Sequence, residues 1–196
     1  MIEIKPKSSV RGEPVRQRVL DAAERLLRQG KAEFSMRDLA AKAEVSFATP
    51  FNHFGSKAGV MHALSARRID EMEARLRSAK PHSDAQERVL LATKLAATVM
   101  LEEPLVSRAV MGWLGTPGPT PGGVLARSAT LWALALGEGE GLIAARREEA
   151  LATLPEQLAF GFRGVLSFWT AGELPDAELA ARAKIVAANL LRGYVR

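Results

Sequence analysis

Apolar positions recur at helical spacing from early in the chain. Val15, Val19, Ala22, Ala23, Leu26 and Leu27 alternate with Arg16, Arg18, Asp21, Glu24, Arg25 and Arg28, which predicts an amphipathic helix stopped by Gly30. Phe34-Ser35-Met36-Arg37-Asp38-Leu39 reads as the next helix start, with Ser35 as N-cap, Asp38 in the first turn and Phe34 stapled against Leu39. That helix ends near Ala43, and only Glu44 and Val45 separate it from another cap, Ser46. So tight a connection forces a steep crossing and predicts a helix-turn-helix unit. Its third helix runs from about Phe47 to Phe54. Gly55 then breaks the chain, and Ser56 caps a longer helix carrying Val60, Met61, Leu64, Met72 and Leu76 on one side.

Pro50 lies inside the predicted third helix, where it removes a backbone donor and presses on the preceding turn. With Ser46 as cap it falls at the fourth helical position. There its ring serves as the apolar half of a staple against Val45, at the expense of the bond to Ser46 and of helical geometry at Thr49. The first turn of this helix is therefore expected to be loosened or to start one residue late.

After Lys80-Pro81 the pattern stays helical: Val89 to Leu101, Pro104 to Leu114, Leu125 to Leu136, Ala150 to Thr170 and Asp176 to Arg192. Punctuation comes from GTPGPTPGG at 115–123, GEGEG at 137–141 and AGELPD at 171–176. GEGEG follows a helix rather than a strand and lacks phosphate-loop spacing, so it reads as a flexible connector. No run alternates as a strand would, and the fold class is all-α.

Composition narrows the chemistry. With 47% hydrophobic and 25% charged residues the 196-residue chain is of globular type, and the absence of cysteine excludes disulfides and thiolate nucleophiles. His53, His62 and His82 form no pair at metal-ligand spacing, so no metal or cofactor is expected. No continuous apolar leader opens the chain, and Lys94, Glu102, Gly137 and Arg163 interrupt the apolar runs, so a soluble cytoplasmic protein is expected. Net charge is +5, of which residues 1–80 carry +6 and the remainder −1. A polyanion facing the first 80 residues accounts for this imbalance; chance variation of surface charge is the rival reading.

The elements VLDAAERLL, FSMRDLAAKAEVS, Thr49, Phe51, His53-Phe54 and Ser56-Lys57, all between Val19 and Leu64, resemble the tetracycline-repressor (TetR) family of bacterial transcription regulators. The closing FWTAGELPDAELAARAKIVAANLLRG is similar to that family's dimerisation region. The resemblance implies an N-terminal three-helix DNA-binding domain over 1–56 with a basic arm, a connecting helix over 57–80, and a helical ligand-binding and dimerisation domain over 81–196. The arm would include Lys5, Lys7, Arg11, Arg16 and Arg18, with a disordered tail as the rival reading.

In a helix-turn-helix the second helix of the motif presents its first residues to base edges. The candidates are Ser46, Phe47, Ala48, Thr49 and Asn52, with Asn suited to adenine and Thr or Phe to a thymine methyl. Phosphate contacts are assigned to Arg37, His53 and Lys57, the last matching a backbone-contacting lysine of the family. Helix packing is the rival reading for His53, and plain solvation for Lys57. Phe51 stands where the family usually has a phosphate-bonding Tyr and is expected, with Phe54, to face the core. Glu44 replaces a common turn Gly, at about 1 kcal/mol if the site requires positive φ.

Nothing in the C-terminal half has the order of a catalytic triad, a carboxylate pair or a phosphate loop, and no enzyme is expected. Met100, Arg108, Met111, Trp113, Trp132, Phe160 and Phe162 are candidate linings of an apolar ligand cavity, with ordinary packing as their rival role and solvent as that of Arg108. The resemblance implies a homodimeric repressor that binds a near-palindromic operator and responds to an apolar or amphipathic effector. Residues 150–192 would form its dimer interface, with Trp169, Ile185 and Leu190 as anchors. A DNA-binding protein of the same fold without a small-molecule inducer is the first alternative, and an all-helical enzyme the second.

Overall fold

Two helix ends built by the same motif begin the chain's architecture. In the computed structural model, which describes residues 13–80, 82–120 and 123–195, helix α1 spans Glu13–Arg28 and α2 spans Met36–Lys42. At the end of α1 the Gly30 amide donates to the Leu27 carbonyl and the Lys31 amide to that of Leu26. At the end of α2 the Glu44 amide donates to Ala41 and the Val45 amide to Ala40. Both are Schellman closures, which require a left-handed residue. Gly30 supplies it at φ 74°; Glu44 supplies it at φ 55° and is the one non-glycine residue with positive φ among those described. The start of α2 has the expected Ser35 cap, closed as a capping box, the Ser35 hydroxyl accepting from the Asp38 amide at 3.1 Å and the Asp38 carboxylate from the Ser35 amide at 2.8 Å. Phe34 and Leu39 are both buried in the same core.

Helix α3 spans Ala48–Phe54, one residue later than a start at Phe47. The Thr49 amide donates to the Ser46 carbonyl at 3.0 Å, a tight i to i−3 bond. Pro50 thereby becomes the third helical residue. An amide there has no intrahelical acceptor, so the missing donor removes no helical bond. Ser46 does not cap through its side chain; its hydroxyl pairs with that of Thr49 at 2.7 Å. Helix α4, Lys57–Ser78, starts on the expected cap, with the Ser56 hydroxyl accepting from the Gly59 amide at 3.1 Å.

The remaining helices are α5 (Ala85–Glu102), α6 (Pro104–Trp113), α7 (Gly123–Leu136), α8 (Arg147–Thr170) and α9 (Asp176–Leu191), with a 3-10 turn at Ala144–Arg146 before α8. No strand occurs among the described residues, where the single β-bridge joins Leu142 to Val195. The GEGEG segment is not the flexible connector its glycines suggested. Gly137, Gly139 and Gly141 all have positive φ, Arg88 donates to the carbonyls of Ala135 and Leu136, and the Ala85 amide donates to the Glu140 carbonyl. The glycines here serve a pinned left-handed path.

Three apolar clusters fill the molecule. The first joins α1, α2 and the start of α4 to Val106 and Val110 of α6, so the N-terminal core is completed by a helix from beyond residue 81. The second gathers α5, α7, α8 and α9 around Trp132, Leu154 and Leu191. The third, around Met72, Met100, Leu166 and Trp169, lies where α4 runs among the C-terminal helices. Helices α8 and α9 approach so closely that a side chain on Gly161 would collide with Val186.

Candidate functional site

The surface of α3 is built from two i, i+4 pairs. Phe47 and Phe51 lie on one strip and Ala48 and Asn52 on the next, and all four are exposed, while Pro50 and Phe54 face inward. Phe51 was expected in the core; at 40% exposure it is a surface residue. Its ring meets that of Phe47 edge to face, with centroids 5.3 Å apart, and the Arg37 guanidinium lies 5.6 Å from the Phe47 centroid. Two aromatic rings and a cation from α2 thus make one ridge, which the i, i+4 spacing of Phe47 and Phe51 already encoded. His53 is exposed beside the Phe54 ring, and Thr49 is half-buried with its hydroxyl on Ser46. Arg16 stacks on Phe54 at 5.3 Å, and Arg18 reaches the Glu44 carbonyl at 3.4 Å. The expected arm residues Lys5, Lys7 and Arg11 lie outside the described residues.

Lys57 departs from its assignment. Its side chain is only 16% exposed, and its ammonium donates to the Ala32 carbonyl at 2.7 Å, lies 4.8 Å and 5.2 Å from the ring centroids of Phe34 and Trp113, and is 3.9 Å from the Glu33 carboxylate. A free phosphate-binding cation would point into solvent. Here the charge is drawn inward because one carbonyl and two aromatic faces converge on it, joining the α1–α2 loop to the end of α6.

Behind this surface lies an ion-pair cluster at the junction of α1, α4 and α6. Glu24, buried on α1, is approached by Arg28 at 3.3 Å, Arg67 at 3.4 Å and Arg68 at 3.7 Å. Glu103, at the entry to α6, pairs with Arg68 at 2.9 Å and with Arg28. Arg28 and Arg68 hold the Glu103 carboxyl below the usual carboxylate range, the hydrogen bond from Arg28 being the largest cause. The same two-carboxylate environment raises Arg28, again through Glu103 first.

Arg68 also reaches the wall of a cavity enclosed by α4, α5, α6, α7 and α8, with about 600 Å³ between its lining atoms, mouth included. The space open to the centre of a water-sized sphere is about 60 Å³. Met100, Met111, Trp132 and Phe162, four of the seven candidates, line it together with Ser107 and Arg163. Trp132 and Phe162 meet edge to face at 5.6 Å.

The other three candidates lie elsewhere. Trp113 is in the Lys57 cage, and Phe160 is 57% exposed on the outer face of α8. Arg108 donates to the Asp176 carboxylate at 2.6 Å and the Trp169 carbonyl at 3.3 Å, stacking on that indole at 4.4 Å. A lone arginine in an apolar stretch had a partner 68 residues away, which spacing along one helix cannot reveal. Trp169 is fully buried, its indole N–H donating to Asp176 at 2.8 Å, so it is a core residue rather than an interface anchor. Ile185 is exposed on α9, and Leu190 is half-buried against the second cluster. Among the described residues no group of three or more His, Asp or Glu side chains is placed to hold a metal.

A short exposed helix, set off from α2 by a turn whose left-handed residue is Glu44 and carried by a helical body, has the form of a helix-turn-helix. Residues 19–64 match the family model of bacterial regulatory proteins, tetR family. No curated protein matches the chain in sequence. Among solved structures, a TetR transcriptional regulator from Rhodococcus sp. RHA1 is 22% identical, covering 91% of this chain and 97% of its own, with a TM-score of 0.74. SmeT, the repressor of the Stenotrophomonas maltophilia multidrug efflux pump SmeDEF, is 19% identical over 92% of this chain and 90% of its own, with a TM-score of 0.59. TylP, a TetR regulator from Streptomyces fradiae, is 17% identical over 95% and 89%, with a TM-score of 0.57. The N-terminal segment is of the TetR family, and the chain as a whole has the fold of TetR-family transcriptional regulators.

Proposed function

We propose that the protein is a homodimeric, ligand-responsive transcriptional repressor of a near-palindromic operator, with no catalytic activity. The observation that carries this reading is the exposed Phe47-Ala48-Phe51-Asn52 face of α3, flanked by Arg37 and His53 in the basic part of the chain. Such a face fits a major groove, with Asn52 toward a base edge, the Phe rings toward thymine methyls and Arg37 and His53 toward phosphates. Two copies about 34 to 36 Å apart would read successive half-sites. Lys57 enters this reading as a residue that positions the α1–α2 loop.

The dimer is assigned to α8 and α9. Phe160, Gly164 and Phe168 form an exposed i, i+4, i+8 stripe on α8, and Ile185 is exposed on α9. Two such helix pairs pack as a four-helix bundle. The cavity is the effector site, supported by its lining of flexible methionines and aromatics. The same fold serves repression in SmeT, which is also solved in complex with triclosan. The cavity's narrow bore favours the second reading, a regulator without a small-molecule inducer, only if it fails to open. Titration of the full chain against DNA flanking its own gene, together with sedimentation, tests the proposal. Retention of one inverted-repeat site by a dimer is expected; a monomer at micromolar concentration, or binding indifferent to sequence, would overturn it.

A further inference from the structure

Two polar groups in the cavity wall have no partner fit for them. Ser107 is 1% exposed, and its hydroxyl makes no hydrogen bond. The helical hydroxyls of Thr93, Thr98, Thr130 and Thr153 donate to the carbonyl four residues back, whereas that of Thr170, away from this cavity, is also buried without a partner. An unbonded buried hydroxyl is costly, so its persistence points to a partner absent from the free protein. Arg163, on α8, has no carboxylate within ion-pair distance among the described residues. Its one side-chain contact of hydrogen-bond type is to the Met111 sulfur at 3.5 Å, a weak acceptor. Burial alone holds this guanidinium below its ordinary range.

Both groups line the same cavity. Ser107 and Met111 are one turn apart on the same face of α6, and Arg163 reaches that face at Met111, so hydroxyl and guanidinium border the same end of the lining. The rest of the wall is mostly apolar, with Met72, Met100, Leu131, Trp132, Phe162 and Leu166, and its other polar members are Arg68, Ser65 and Ser128. We infer that the cavity takes an amphipathic monoanion, its carboxylate bound between Arg163 and Ser107 and its apolar body against Met100, Trp132 and Phe162. This rests on the reading of the cavity as the effector site.

Charge selects among ligand classes. A neutral ligand leaves a desolvated cation unpaired, and a cationic one meets both Arg163 and Arg68 in the same wall. A dianion exceeds what one free guanidinium and one hydroxyl can neutralise, because Arg68 is already engaged by Glu24 and Glu103. A carboxylate matches the planar fork of arginine and leaves an oxygen for the serine.

The test uses the full chain with two probe pairs, decanoate against 1-decanol and 2-naphthoate against 2-naphthalenemethanol, followed by calorimetry below micelle formation at neutral pH. Each acid is expected to bind about 10-fold or more tightly than its alcohol. Arg163→Met should bring each pair within about 2-fold, with alcohol binding retained, and should raise the melting temperature because an unpaired, partly buried charge is gone. Arg163→Gln serves as the second variant should the first misfold, and Ser107→Ala should cost the acids about 3-fold to 10-fold alone. Equal binding of acid and alcohol to the wild type, or an acid preference that survives in both Arg163 variants, overturns the anion assignment and leaves the effector site standing. Failure of all four probes to bind overturns both.

Discussion

Arg68 donates to Glu103 at 2.9 Å, and through that contact the wall of the cavity is joined to α1 of the helix-turn-helix segment, because Arg28 of α1 grips the same carboxylate. Glu103→Gln removes the charge that two guanidiniums share and leaves the buried Arg68 with Glu24 as its inward partner. A loss of about 1 to 3 kcal/mol of stability is expected by urea titration.

The sign of the pH dependence follows from the same pair. Glu103 is lowered in the folded chain, so its stabilisation is present above its ordinary value of 4.5 and is lost as pH falls toward the folded value. Melting temperature should therefore decline on acidification below about pH 4.5, and less steeply in Glu103→Gln. Equal slopes for the two proteins would remove Glu103 from the account.

Lys57 separates two roles that predict different salt behaviour. As a phosphate contact, Lys57→Ala would reduce the slope of log affinity against log salt by about 1. Held instead by Ala32, Phe34 and Trp113, it should leave that slope nearly unchanged and cost about 1 to 2 kcal/mol of stability. Binding isotherms at several salt concentrations distinguish the two outcomes.

Asn52 is exposed on the strip beside the Phe47–Phe51 ridge and has the side chain that pairs with adenine. Asn52→Ala should narrow the gap between operator and mismatched DNA by about 1 to 3 kcal/mol, mainly at one base pair of each half-site. Competition against a panel of single-base variants gives the measurement.

Phe168→Glu places a charge at the C-terminal end of the exposed α8 stripe while touching none of the three cores. Sedimentation should show a shift toward monomer with an unchanged circular dichroism spectrum. A variant that remains dimeric at micromolar concentration would move the interface away from this face.

Glu44 offers a local test of backbone strain. It occupies the left-handed position of a Schellman closure that glycine fills at the end of α1, so Glu44→Gly should stabilise the chain by about 1 kcal/mol. Its effect on DNA affinity reports whether the strained turn also aims α3.

Local signals carried most of the helix-turn-helix. The capping box at Ser35 and Asp38, the stop at Gly30 and the cap at Ser56 depend on residues within one turn of each other, so their physics is complete in the sequence. The late start of α3 was legible for the same reason, since Pro50 constrains only its immediate neighbours. Binary patterning likewise determined the all-helical class and the number of later helices, although α5 and α8 begin at Ala85 and Arg147, before the expected Val89 and Ala150.

What only the tertiary structure decided are the destinations of long side chains. Lys57 turned inward because Phe34 and Trp113, 23 residues before it and 56 after it, arrive at the same point; Arg108 found Asp176, and Trp169 left the surface for the same clasp. Met100, Met111, Trp132 and Phe162 were recognisable as large apolar residues, but only the packing of five helices separated the cavity wall from the core and from the exposed stripe that holds Phe160. Backbone preference acts over one turn of chain, whereas a charge or an aromatic ring selects its partner from every element that the fold brings within a few ångströms.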